Sequence, residues 1–248
     1  MPRYIDRPQA TSSDANAGVA LPYGMDAPGI VAAINDLYAY LHAINRASIE
    51  YGYDRLEDIM QRAAFSGLIS EIMVRSLASA MENRVPGLAR NLYPNGHPDL
   101  IPRARYPGDS VHYGDEGVEV KAARNATSIQ GHNIEAGWFA VIEFSCDVKT
   151  MPVYDREPTI VRRIRIARLE ETDWSFSGRS ETSRRTPTAS ITRAGRDKLD
   201  SGAVYIRGGL AEYARYASEL RGLRRETAEP MTPPSPRERH EPPPDVSE

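Results

Sequence analysis

Cysteine is almost absent: Cys146 is the only one in 248 residues. That excludes an intrachain disulfide framework and a multi-cysteine zinc site, and a reducing compartment fits. Histidine is scarce, with 5 copies and no HExxH motif, which argues against a zinc hydrolase. No apolar run approaches the roughly 20 residues of a membrane-spanning helix. Residues 1–24 have no basic start leading into an apolar stretch, so no secretory signal is expected. A large charge of one sign is missing as well, the formal net charge being -3. The chain is therefore no basic coat for nucleic acid, although a local patch can still meet phosphates.

What is present suffices for a folded core, with 40% hydrophobic residues. Residues 1–25 mix Pro, Gly, Ser, Asp and Ala without periodicity and read as an irregular arm. Asp26 stands at an N-cap position with Pro28 just inside the helix start. Ile30, Ile34, Leu37, Leu41 and Ile44 follow at helical spacing. A second helical stretch is expected over 54–83, with Leu56, Ile59, Met60, Ala63, then Leu68, Ile72, Met73 and Leu77 on its apolar face. Ser66-Gly67 is the expected kink and Pro86-Gly87 the end.

The pattern then changes to strands. Residues 110–113 and 118–122 flank Gly114-Asp115-Glu116-Gly117 and predict a hairpin. Trp138 to Cys146 reads as a central, doubly covered strand. Residues 160–169 alternate Ile with Arg, which predicts a strand with one wet or charged face. A short strand over 203–206 and a helix over 210–223 complete the body. From Arg225 to Glu248, Pro, Glu and Arg dominate, and this tail lacks the apolar residues that would offset its ordering entropy. The body, 26–224, reads as a single α/β domain.

The chemistry concentrates in His97-Pro98-Asp99 and Gly117-Val118-Glu119-Val120-Lys121. Strand alternation puts Glu119 and Lys121 on one face. Cleaving a phosphodiester requires an activated water and help for the leaving oxygen. Mg2+ suits both tasks and is usually held by one or two carboxylates. Asp99 and Glu119 are the candidate ligands, and the Val120 carbonyl between the two functional side chains is a third. Lys121 is placed to orient or deprotonate the water, or to neutralise charge in the transition state.

Pro98-Asp99 followed twenty residues later by Glu119-Val120-Lys121 resembles the PD-(D/E)XK nuclease superfamily, over roughly 54–170. In size and layout the chain looks most like a type II restriction endonuclease. The resemblance implies a central mixed β-sheet flanked by helices, with the acid and the ExK element on neighbouring strands. It also implies Mg2+ dependence, double-stranded DNA as substrate, frequent homodimers, and a cytoplasmic protein of a prokaryotic cell. It makes Glu71 a further candidate metal ligand, whereas the spacing of Glu71 and Arg75 equally suits a helix-surface ion pair. Simple hairpin register would place Glu119 beside His112 and not Asp99, which leaves Asp109 as the competing first acid. A repair or recombination nuclease, or a DNA-binding protein without turnover, are the rival readings.

Residues 156–198 hold 11 Arg/Lys against 6 Asp/Glu. Such a segment is suited to phosphates and base edges, or forms a solvated face. Arg163, Arg165, Arg184, Arg185 and Arg193 are the candidate DNA contacts within it. Gln130 and His132, in the polar stretch after the ExK strand, are two more.

Overall fold

Asp26 opens helix α1 (Ala27–Glu50) by accepting a hydrogen bond from the Gly29 N–H at 2.7 Å, the capping that its position predicts. The computed structural model describes residues 6–124, 130–131, 135–176, 189–216 and 218. Ile30, Ile34, Leu37 and Leu41 are buried along one stripe of α1. The expected second helix is two, α2 (Leu56–Ile59) and α3 (Arg62–Ala80). The break falls at Met60-Gln61, and Gly67 continues α3 on an exposed face where it meets no neighbour. Arg55 is fully buried just before α2, where it binds Asp58 and donates to the carbonyls of Asp147 and Glu157.

Strands β1 (Leu88–Arg90), β2 (Leu100–Pro102) and β3 (Val118–Ala123) form an antiparallel run. The predicted hairpin of 110–113 with 118–122 does not form. Leu100 pairs with Val118 instead, and 107–109 is a 3-10 turn. Gly117 permits this pairing. Its φ is 146°, and a Cβ there would collide with the Leu100 carbonyl and the Pro98 ring. Beyond β4 (Gln130–Gly131), β5 (Gly137–Ser145) lies parallel to β3, and β6 (Ile160–Leu169) lies antiparallel to β5. After β7 (Trp174–Phe176), β8 (Ala189–Ile191) and helix α4 (Arg193–Ser201), β9 (Ala203–Ile206) closes the edge.

The result is a mixed six-stranded sheet, β1-β2-β3-β5-β6-β9, with a small β4-β8-β7 sheet beside it. This is the α/β single domain with a central mixed sheet flanked by helices that was expected, one compact unit through Tyr213. β5 is central and buried, as its apolar run predicts.

Alternation divides the sheet residues between two cores. Leu100, Val118, Val120, Ala140 and Ile142 pack with α1 and α3. Phe139, Val141, Ala167 and Leu169 pack with Trp174, Ala189, Ile191 and Leu199 on the other side. Glu119 and Lys121 stand in register with Phe139 and Val141, so they share the second face. The arm is more engaged than its composition suggests: Ala10 is buried, and its N–H and C=O bond the Asn35 side chain.

The face of β6 expected to be wet or charged is charged but not wet. Arg163 and Arg165 are 6% and 1% exposed. Arg163 pairs with Glu143 and Asp200, and Arg165 with Asp200. Isolated buried guanidinium groups would be costly, and these pairs make the burial possible while tying α4 to β6. Residues 209–216 and 218 are helical, consistent in place with the helix expected over 210–223. The tail beyond Arg225 lies outside the described residues.

Candidate active site and metal centre

Pro98 has no N–H to give to a ladder. Continuing the β2–β3 register from Leu100↔Val118 puts Pro98 opposite Val120. Both backbone groups of Val120 then turn to side chains. Its N–H donates to Asp99 Oδ2 at 2.8 Å, and its carbonyl accepts from the Ser70 hydroxyl of α3 at 2.8 Å. Leaving either group unsatisfied would cost about 1–3 kcal/mol. The missing Pro98 N–H leaves the Val120 carbonyl to Ser70, the Pro98 carbonyl accepts from Asn91 Nδ2 at 3.0 Å, and the N–H in the middle of Glu119-Val120-Lys121 goes to Asp99. Asp109, the competing acid, bonds the Ala104 N–H and stabilises its own turn.

Glu119 is the hub. Its Oε1 binds the Lys121 ammonium, and its Oε2 lies 2.9 Å from His97 Nδ1. His97 Nδ1 is also 3.8 Å from Glu135 Oε2. His97, Glu119 and Glu135 form a cluster able to hold a metal ion, with their ligand atoms all within 4.8 Å of one another. Asp99, whose Oδ2 accepts from Val120, is not in that set. Glu71 is outside it too and pairs with Arg90 at 3.0 Å; the expected Glu71–Arg75 pair is absent, and Arg75 binds Asp36. Asp99 and Glu71 both line an open cleft of about 490 Å3 with Arg90, Asn91 and Tyr93.

The electrostatics follow from this crowding. Burial, and then the Glu119 charge, push the Asp99 carboxyl up to about 7. Burial acts the same way on Glu119, but the His97 hydrogen bond and the Lys121 charge outweigh it and hold Glu119 at about 2. Burial pulls Lys121 down, yet Glu119 more than compensates and raises it. Lys121 is thus a protonated donor at neutral pH. The Glu119 hydrogen bond, opposed by burial, raises His97.

In the sequence His97 stands in the His97-Pro98-Asp99 stretch without a role of its own, and Glu135 is not singled out. His97 carries one marker, its place directly before Pro98-Asp99. Glu135 has no such marker. It precedes β5 and reaches the site only through the parallel β3–β5 pairing, with its carbonyl held by the Trp174 indole N–H at 2.8 Å.

Of the expected DNA contacts, Arg163 and Arg165 are occupied inside the fold. Arg193 is exposed in the first turn of α4. Gln130 lies in β4 opposite Ser190. His132, Arg184 and Arg185 lie outside the described residues. Among the described residues no helix is long and apolar enough to cross a membrane. Compared with protein-family profiles, curated proteins and solved structures, the chain matches none of them.

Proposed function

We propose that the protein is a Mg2+-dependent endonuclease that hydrolyses phosphodiester bonds in double-stranded DNA, acting as a site-specific restriction enzyme of the PD-(D/E)XK type and as a homodimer. One observation carries the reading: the Asp99 carboxylate is hydrogen-bonded to the backbone between Glu119 and Lys121. Asp99, just before β2, is thereby held beside Val120 of β3, where its carboxyl feels the charges of both Glu119 and Lys121, and this supports the reading.

The donor set fits a hard divalent cation. Asp99 and Glu119 offer carboxylate oxygens, and Ser70 leaves one lone pair of the Val120 carbonyl free. Burial first, and then the neighbouring Glu119 charge, raise the Asp99 carboxyl, against the opposing Val120 hydrogen bond and Lys121 charge. Mg2+ bound there would supply Lewis acidity toward a phosphate oxygen and a lowered pKa for a bound water.

The chain's own groups do the rest. Lys121, held protonated against Glu119, donates to a phosphate oxygen and offsets charge that builds in the transition state. The same proton makes it a poor base. Val120, anchored on both sides, keeps Glu119 and Lys121 at fixed spacing from Asp99. The open cleft beside Asp99 gives a strand access.

Incubation of the protein with plasmid DNA and Mg2+ tests this. Discrete fragments are the expected result. A smear or junction-dependent cutting would transfer the activity to a repair nuclease, and tight binding without cutting in Mg2+ or Mn2+ would indicate a DNA-binding protein.

A further inference from the structure

The centre contains a nitrogen donor that an all-oxygen Mg2+ site does not need. His97 Nδ1 is 2.9 Å from Glu119 Oε2 and 3.8 Å from Glu135 Oε2. Two ligands at right angles on an ion with bonds of about 2.1 Å are separated by about 3.0 Å, and tetrahedral ones by about 3.4 Å. The two observed separations bracket that range. The third pair, Glu119 with Glu135, also stays within 4.8 Å.

The three side chains come from separate, anchored segments. The His97 N–H donates to the His112 carbonyl at 2.8 Å, and its own carbonyl accepts from Gly114 at 2.7 Å. Glu119 sits within β3, its side chain 9% exposed. Glu135 is held through its carbonyl by Trp174. A site whose ligands are fixed before binding loses little entropy on closing around an ion.

We propose that His97 Nδ1, Glu119 and Glu135 form a mixed nitrogen–oxygen metal site that takes a first-row transition ion, with Mn2+ preferred over Mg2+. An imidazole suits transition ions better than Mg2+, and carboxylates suit Mn2+ as well. The assignment rests on the metal-dependent reading above and names the ion for its centre. Glu119 is shared: Oε2 faces the metal and Oε1 stays with Lys121. Metal binding then replaces the Nδ1–Oε2 contact of His97 with Glu119: Nδ1 gives up any proton it holds there to solvent, and both atoms turn to the ion.

Pulsed EPR on the tag-free, metal-stripped protein loaded with one equivalent of Mn2+, without DNA, tests the assignment. The expected result is a 14N coupling from one directly bound imidazole. His97→Ala should remove that coupling and weaken Mn2+ binding about tenfold or more, while Mg2+ binding by calorimetry changes less than about threefold. Glu135→Gln should keep the coupling and weaken Mn2+. Absence of the 14N coupling in the wild type, its persistence in His97→Ala, or no Mn2+ binding at all would overturn the site. The two readings fail separately. Plasmid cleavage in Mg2+ with no 14N coupling keeps the nuclease and removes this site; 14N coupling with no cleavage in any ion does the reverse.

Discussion

The Asp99 carboxylate accepts a hydrogen bond from the Val120 N–H at 2.8 Å, while the carbonyl of Pro98 accepts from Asn91 Nδ2 instead. An isosteric amide keeps this acceptor and removes the charge. Asp99→Asn should therefore retain the fold. Burial and Glu119 raise the Asp99 carboxyl to about 7, so its ionised form destabilises the metal-free protein once the pH exceeds the ordinary carboxylate range. At pH 8 in EDTA, the variant should melt a few degrees above the wild type, on the order of 1–2 kcal/mol, and should not cleave DNA. A lower melting point would mean that the carboxylate is not crowded.

Gly117 sits at φ 146° against the Leu100 carbonyl. Gly117→Ala forces β2 away from the start of β3, and Asp99 immediately precedes β2. A loss of about 2 kcal/mol or more is expected, with cleavage falling further than stability accounts for. Thermal unfolding and cleavage rate, measured on the same preparation, separate the two effects. Wild-type behaviour in both would show that the β2–β3 contact tolerates displacement.

Arg163 and Arg193 belong to the same basic segment and should behave differently. Arg163→Ala leaves Glu143, which is 1% exposed, without its buried counter-ion, at a cost of about 3–5 kcal/mol. Arg193 is exposed, and Arg193→Ala should leave the melting point unchanged. If Arg193 touches a phosphate, its loss should weaken DNA binding and reduce the salt slope by about one. An unchanged slope removes Arg193 from the interface.

Asp147 gives the fold an acid-sensitive joint. Burial raises its carboxyl, but the N–H groups of Thr150, Glu157 and Lys149 outweigh burial and hold it at about 2, against 3.8 ordinarily. A depressed carboxyl stabilises the fold above its unfolded value. That contribution should be complete above about pH 4 and vanish as the pH falls through about 2. Asp147→Ala should cost about 1–2 kcal/mol at pH 7 and flatten the stability loss between those limits in acid titrations followed by circular dichroism. A parallel-shifted curve would locate the acid sensitivity elsewhere.

The sequence made legible what depends on local periodicity and capping. Asp26 announced α1, the WFAVIEFSC run announced β5, and alternation placed Glu119 and Lys121 on one face. It misplaced what depends on partners distant in sequence. Gly114-Asp115-Glu116-Gly117 has the composition of a hairpin turn, yet Leu100 captures Val118 because Gly117 permits a close approach. Arg163 and Arg165 looked solvated because arginine usually is, and their counter-charges Glu143 and Asp200 lie 20 and 35 residues or more away. Glu135 joins Glu119 only through a parallel strand pairing, which no short-range pattern encodes.

The most direct measurement is relaxation of supercoiled plasmid by wild-type protein, by Glu119→Ala and by Lys121→Ala, in Mg2+, in Mn2+ and in EDTA. Nicked or linear product from the wild type with either ion, none in EDTA, and none from folded variants is the predicted result. No cutting by the wild type in any divalent ion, or full cutting by a folded Glu119→Ala protein, would contradict the nuclease assignment.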